Sequence, residues 1–315
     1  MSRLKENWEL CLEAVKYAKE GAARSQNQHY FYSKSPKADR VRHEFLLSCT
    51  RSSDFVKTGA GELVTDPVLR QRRELIETLM HGPLTKSQKM KQIDNYIQMW
   101  GRAYFWQTAV KGVDVFDGQS SRFKGRELVK HTGYSKSELK SISQEEFAQV
   151  VEYYRMKDAA AQTRKFGVGN CDEKASLAAE YLVDHSLPGR KMACCYCDPK
   201  HKGFTGKAVA FFSGNEKAGN GDHVFCVYDL ERQSNCVDEW GKNAIIVDGW
   251  MNDAYPAREF LTWKYGYNYR NQRINLAQLN IRNMICISYR SHIKTRYIWN
   301  LDEGPALKHR EKLVA

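Results

Sequence analysis

The spacing of apolar positions changes character about halfway along the chain. In the first half it follows the helical period. Leu4, Trp8, Leu10, Cys11, Ala14, Val15 and Ala18 recur at three- and four-residue intervals, which predicts a helix over 3–24 that Gly21-Ala22-Ala23 closes. A polar, basic stretch over 25–42 follows, with Tyr30-Phe31-Tyr32 in its middle, then a short apolar segment from His43 to Cys49 and a loop through Gly59-Ala60-Gly61. Asp66-Pro67 opens a helix that runs to about Met80, with proline in its first turn where the missing N–H costs nothing. Thr85 caps a further helix, which Met90, Ile93, Tyr96, Ile97, Trp100 and Tyr104 carry to about Val110. Ser143-Gln144-Glu145-Glu146 is a capping box ahead of Phe147, Val150, Val151 and Tyr154, and that helix extends to Thr163.

Past residue 165 the pattern shortens to β-branched and aromatic runs. Lys191 to Cys197, Ala208 to Phe212, His223 to Tyr228, Ala244 to Val247 and Met284 to Tyr289 read as strands, and a helix from Cys171 to near His185 precedes them. The expected fold class is α+β, with a helical N-terminal half followed by an antiparallel sheet packed on the helix that carries the cysteine. The expected division is a mainly helical region over 1–165, a core over 166–300 and a polar, frayed tail over 301–315.

The helix beginning at Cys171 sets the candidate chemistry. Gly167-Val168-Gly169-Asn170 delivers a thiol to its first turn, Asn170 suits the N-cap, and Glu173 stands where a capping-box carboxylate reaches back. Unpaired N–H groups and the helix dipole favour a thiolate there. A thiol nucleophile needs a base, and the base a third group to orient it. His223 opens one predicted strand and Asp248 closes another, and opposed residues on neighbouring antiparallel strands sit about 5 Å apart. The backbone N–H of Cys171 is one candidate oxyanion donor, and the side chain of Gln162 a second.

The order Cys171, His223, Asp248 on helix, strand and strand resembles the transglutaminase-like branch of the papain-like superfamily. The matching pieces are Gly169, Cys171 and Ala175, then Asp222-His223-Val224-Phe225, then Val247-Asp248, within roughly residues 165 to 255. Asp172 stands where many transglutaminases carry a tryptophan. The resemblance implies a transglutaminase-like core and a thiol enzyme that transfers an acyl group from an amide of a protein substrate. It would act as a cysteine protease, a glutamine deamidase or a transglutaminase, with no cofactor. It also brings in bacterial effectors acting on a host protein.

Composition narrows the alternatives. At 42% apolar and 27% charged residues the 315-residue chain is globular in character. No run of about 18 apolar residues is present, and Met1 to Trp8 lacks the apolar core of a secretory signal. The expected location is therefore the cytoplasm, or a host cell reached without such a signal. Nine cysteines at irregular spacing fit a reducing compartment better than a disulfide framework. The net charge of +12 admits nucleic acid, but the basic residues are dispersed among acids and carry no stacking motif. Cys194, Cys195, Cys197 and His201 invite zinc, yet no second cysteine pair follows and neighbouring strand residues face opposite ways, so no metal site is expected. A binding or scaffold protein that keeps this fold without the reaction stays open, as does a basic nucleic-acid-binding protein.

Overall fold

The computed structural model describes residues 2–23, 37–51, 55–57, 59–60, 63–101, 132–197, 224–232, 234, 239–259, 293–302 and 306–307. Its helices are α1 (Arg3–Gly21), α2 (Lys37–Arg51), α3 (Pro67–His81), α4 (Lys86–Trp100), α5 (Lys136–Ser141), α6 (Gln144–Phe166) and α7 (Cys171–Asp184). Its strands are β1 (Phe55–Lys57), β2 (Leu63–Thr65), β3 (Lys191–Cys197), β4 (Val224–Tyr228), β5 (Ile245–Asp248), β6 (Asp253–Pro256) and β7 (Ile293–Asn300). β1 and β2 form a hairpin, and the other five make one sheet in the order β6-β5-β4-β3-β7, antiparallel at every pairing. Among the described residues the chain is thus a mixed α+β molecule, with its α-helices preceding the strands of the five-stranded sheet.

The helix boundaries follow from their caps. Ser143 accepts from the N–H of Glu146 at 3.1 Å while Glu146 reaches back to the N–H of Ser143, so α6 begins where its capping box stands. It ends at Gly167, which takes a left-handed conformation (φ 66°) and donates its N–H to Thr163. α4 begins at the Thr85 box but stops at Trp100, ten residues short of the expected end, because Gly101 turns to φ 71°. Tyr104 and Val110 lie outside the described residues, as do the expected strands over 208–212 and 284–289.

α7 is the central element. Eleven of its fourteen residues are buried, so it is enclosed on nearly every side. α1 contributes Cys11, Ala14, Val15 and Ala18 to its surroundings, α6 contributes Tyr153, Met156 and Ala160, and the sheet contributes Val224, Cys226, Tyr228, Ile245 and Val247. Small residues on α1 and α7 (Ala14, Ala18, Ala175, Ala178, Ala179) let the two helices come close. The first helix of the chain therefore packs into the same core as the sheet. A second cluster holds α2, α3 and α4 together through Phe45, Leu46, Ile76 and Ile93, and it ends on Phe166 and Val168 beside the loop leading to Cys171.

Leu301, the first residue of the expected polar tail, packs into the core. That residue is fully buried, its N–H donates to the Arg190 carbonyl at 3.0 Å, and Ala306 is buried in the same core. No helix among the described residues is long and apolar enough to cross a membrane.

Candidate functional site

Cys171 is the first residue of α7, as its place after Asn170 predicts, and it is 8% exposed. The loop that delivers it is held from three directions. Gly167 closes α6 in the left-handed conformation. The Val168 carbonyl accepts from the hydroxyl of Thr50 on α2 at 3.4 Å. Glu173 Oε2 accepts from the backbone N–H of Asn170 at 2.8 Å, the reciprocal arm of a capping box. Gly169 has to be glycine for lack of space: a Cβ there would stand 2.6 Å from that of Glu173 and 3.1 Å from Thr163 Cγ2.

The Glu173 carboxylate is itself gripped. Arg51, the last residue of α2, donates Nε to Oε1 at 2.5 Å and Nη2 to Oε2 at 3.0 Å. Burial pushes the Glu173 carboxyl up, but the Arg51 guanidinium and the Asn170 N–H outweigh it and hold it below the usual range. Burial opposes charge on Arg51 too, but the Glu173 carboxylate overrides it and raises the guanidinium's pKa.

The sheet side of the site comes from β4 and β5. These neighbours pair antiparallel, with Cys226 opposite Val247 and Tyr228 opposite Ile245. Val224, Cys226 and Tyr228 alternate onto the core face, where Cys226 Sγ donates to the Ala175 carbonyl of α7 at 3.1 Å. Phe225 points the other way and meets Trp240, ring centroids 6.5 Å apart. His223, the residue before β4, lies outside the described residues.

Asp248 ends β5 and is 4% exposed. Its Oδ1 accepts from the N–H groups of Trp250 at 3.1 Å and Met251 at 2.9 Å, which caps the turn into β6. The next residue, Gly249, lies directly on α7: a Cβ there would be 3.0 Å from the Lys174 carbonyl oxygen. Lys174 is one helical turn from Cys171, so the end of β5 meets the same turn of α7 that carries the thiol. Burial lowers the Lys174 ammonium to about 8, against the pull of Asp248. The fold thus brings Cys171 and Asp248 to one end of α7.

Gln162 is directed elsewhere. Its Oε1 accepts from Arg73 Nη2 of α3 at 2.6 Å, and its Nε2 donates to Asp158 at 3.5 Å. The Gln162 amide is thereby tied to α3 and to its own helix.

Two residues at this end of α7, Arg51 and Lys174, carry no signal of their role in the sequence. Arg51 is 122 positions from the carboxylate it grips, so no local pattern announces it. Lys174 sits in a helical stretch where a lysine reads as a solvent-facing residue, yet it is 1% exposed. Among the described residues no group of three His, Cys, Asp or Glu side chains could hold a metal ion, and His201 lies outside them.

No protein-family model matches this chain, and neither a curated protein nor a solved structure matches it.

Proposed function

We propose that the chain is a thiol enzyme that transfers an acyl group from an amide of a protein substrate, with Cys171 as nucleophile, His223 as base and Asp248 as the group that orients the base. In this reading the Cys171 sulfur attacks the amide carbon, His223 takes the thiol proton and returns it to the departing amine, and water or a second amine resolves the thioester. Hydrolysis of a peptide bond, deamidation of glutamine and transamidation share these steps and differ only in the amide attacked and the acceptor. The observation that carries the proposal is the meeting at one turn of α7. The thiol heads the helix, and the strand end that bears Asp248 packs on the residue one turn along.

A second reading, a binding protein that keeps the fold without the reaction, has its own support. Asp248 Oδ1 is occupied by two backbone N–H groups, as in an ordinary turn, and Cys171 is nearly buried.

Thiol labelling separates the two. With iodoacetamide at neutral pH and peptide mapping, the enzyme reading expects Cys171 to be modified fastest of the nine cysteines. It also expects casein incubated with a dansylated amine to be cleaved, deamidated or labelled by wild type and not by Cys171→Ala. Labelling of Cys171 no faster than the other thiols, together with unchanged casein, overturns the enzyme reading.

A further inference from the structure

Arg51 and Glu173 form a pair that the acyl-transfer chemistry does not itself require. The guanidinium is laid fork-to-fork on the carboxylate, at 2.5 and 3.0 Å, and joins the end of α2 to the first turn of α7. The same carboxylate holds the Asn170 N–H at 2.8 Å, so one side chain transmits the position of α2 to the residue before the thiol. Thr50, next to Arg51, holds the Val168 carbonyl of the same loop. Two successive residues of α2 therefore grip the Cys171 loop at two points. The guanidinium is thus joined through one carboxylate to the backbone N–H of the residue before the thiol. A fixed cation there favours the approach of anionic partners.

We infer that Arg51 is a positioning residue for Cys171: through Glu173 it locks the loop that presents the thiol, and its charge favours the approach of anionic reagents to that loop. This role rests on the acyl-transfer reading for its purpose, but the clamp is a physical arrangement that can be tested without substrate.

The test compares wild type with Arg51→Met, Arg51→Lys and Glu173→Gln, each first checked for folding by circular dichroism. Two readouts are used. Amide hydrogen exchange at Asn170 reports the clamp, and Arg51→Met is expected to speed it about fivefold, the factor for one lost hydrogen bond. The ratio of Cys171 alkylation by anionic iodoacetate to that by neutral iodoacetamide reports the field. It is expected to fall roughly three- to fivefold in Arg51→Met and to recover most of that in Arg51→Lys. A general loss of structure would slow or speed both reagents alike and leave the ratio unmoved. If Arg51→Met does not fold, Arg51→Lys and Glu173→Gln carry the exchange comparison, with Glu173→Gln expected to speed Asn170 and Arg51→Lys to preserve most of its protection. Unchanged exchange at Asn170 and an unchanged ratio in folded variants overturn the clamp, even where wild-type Cys171 labels rapidly and the enzyme reading stands. If Cys171 resists both reagents in wild type and casein is unchanged, the enzyme reading fails, and exchange at Asn170 alone decides the clamp.

Discussion

Gly249 and Lys174 are in backbone contact across the boundary between sheet and helix. A Cβ at Gly249 would stand 3.0 Å from the Lys174 carbonyl oxygen, 3.2 Å from its Cβ and 3.1 Å from the Cβ of Ala18. Three elements, β5, α7 and α1, therefore converge on a position with no room for a methyl group. Gly249→Ala forces them apart and is expected to cost about 1–3 kcal/mol of stability, the range for an added carbon in a packed core. Because Asp248 precedes it, the variant is also expected to lose more casein-modifying activity than its stability alone explains. Denaturant unfolding and the casein assay on the same preparation check both, and a fully stable Gly249→Ala would show that the contact yields freely.

A similar close approach governs the loop before Cys171. At Gly169 a Cβ would be 2.6 Å from Glu173 Cβ, a separation that side chains do not tolerate, so either the loop or the first turn of α7 has to move. Gly169→Ala is expected to pull Glu173 away from the Asn170 N–H that it now holds at 2.8 Å. The expected outcome is a stability loss of about 1–3 kcal/mol and a clear fall in the alkylation rate of Cys171. Labelling at the wild-type rate in a folded Gly169→Ala protein would mean that the loop does not set the thiol's environment.

Lys174 gives the stability curve a definite sign. Burial holds its pKa near 8, below the roughly 10.4 of an unfolded lysine. Between those values the unfolded chain carries a proton that the folded chain has released, so folding stability rises with pH across this window. Below about 8 both states are protonated and the lysine makes its least favourable, constant contribution. The full change across the window is on the order of 3 kcal/mol. Wild type measured against Lys174→Met by urea unfolding at neutral pH, near 9 and above 10 isolates this from other groups. The difference is expected to move in favour of wild type as pH rises. A difference that stays flat would assign the titration to another residue.

Much of this architecture can be read from local signals, and the misses share a cause. β3 runs over the predicted Lys191 to Cys197, and α3 and α6 start at their predicted caps, because alternation and capping are written in adjacent residues. β6 escaped notice because Asp253-Ala254-Tyr255-Pro256 ends in proline and reads as a turn. It is an edge strand, where a missing N–H is tolerated. α2 begins at Lys37, earlier than its apolar segment suggests. Arg42 there pairs with Asp39 and with Asp94 of α4, partners that an apolar count ignores. The site divides in the same way. The cysteine at a helix start is a local pattern, whereas Arg51 and Lys174 acquire their meaning only from residues brought close by packing.

The node at Asp229 fixes the first helix to the sheet and offers the sharpest contrast between two partners of one interaction. Asp229 is 2% exposed and adopts φ 62°, unusual for a residue other than glycine. Its carboxylate accepts from Arg3 Nε at 2.7 Å and Nη2 at 2.5 Å and from Asn7 Nδ2 at 2.6 Å, and Arg190 stands 3.7 Å away. Arg190 Nε, just before β3, in turn donates to Asn7 Oδ1 at 2.9 Å, so the carboxylate holds two side chains of α1 directly and Arg190 through its charge. Removing it leaves the Asn7 amide with the Asn243 carbonyl alone at 3.1 Å and strips the buried Arg190 of its paired charge, and Asp229→Ala is expected to cost roughly 3–5 kcal/mol. Arg3 has a side chain 46% exposed that finds water when released, so Arg3→Ala is expected to cost no more than about 1 kcal/mol. Chemical unfolding of the two variants is the measurement. Equal costs would show that the carboxylate matters only through its surface pair with Arg3.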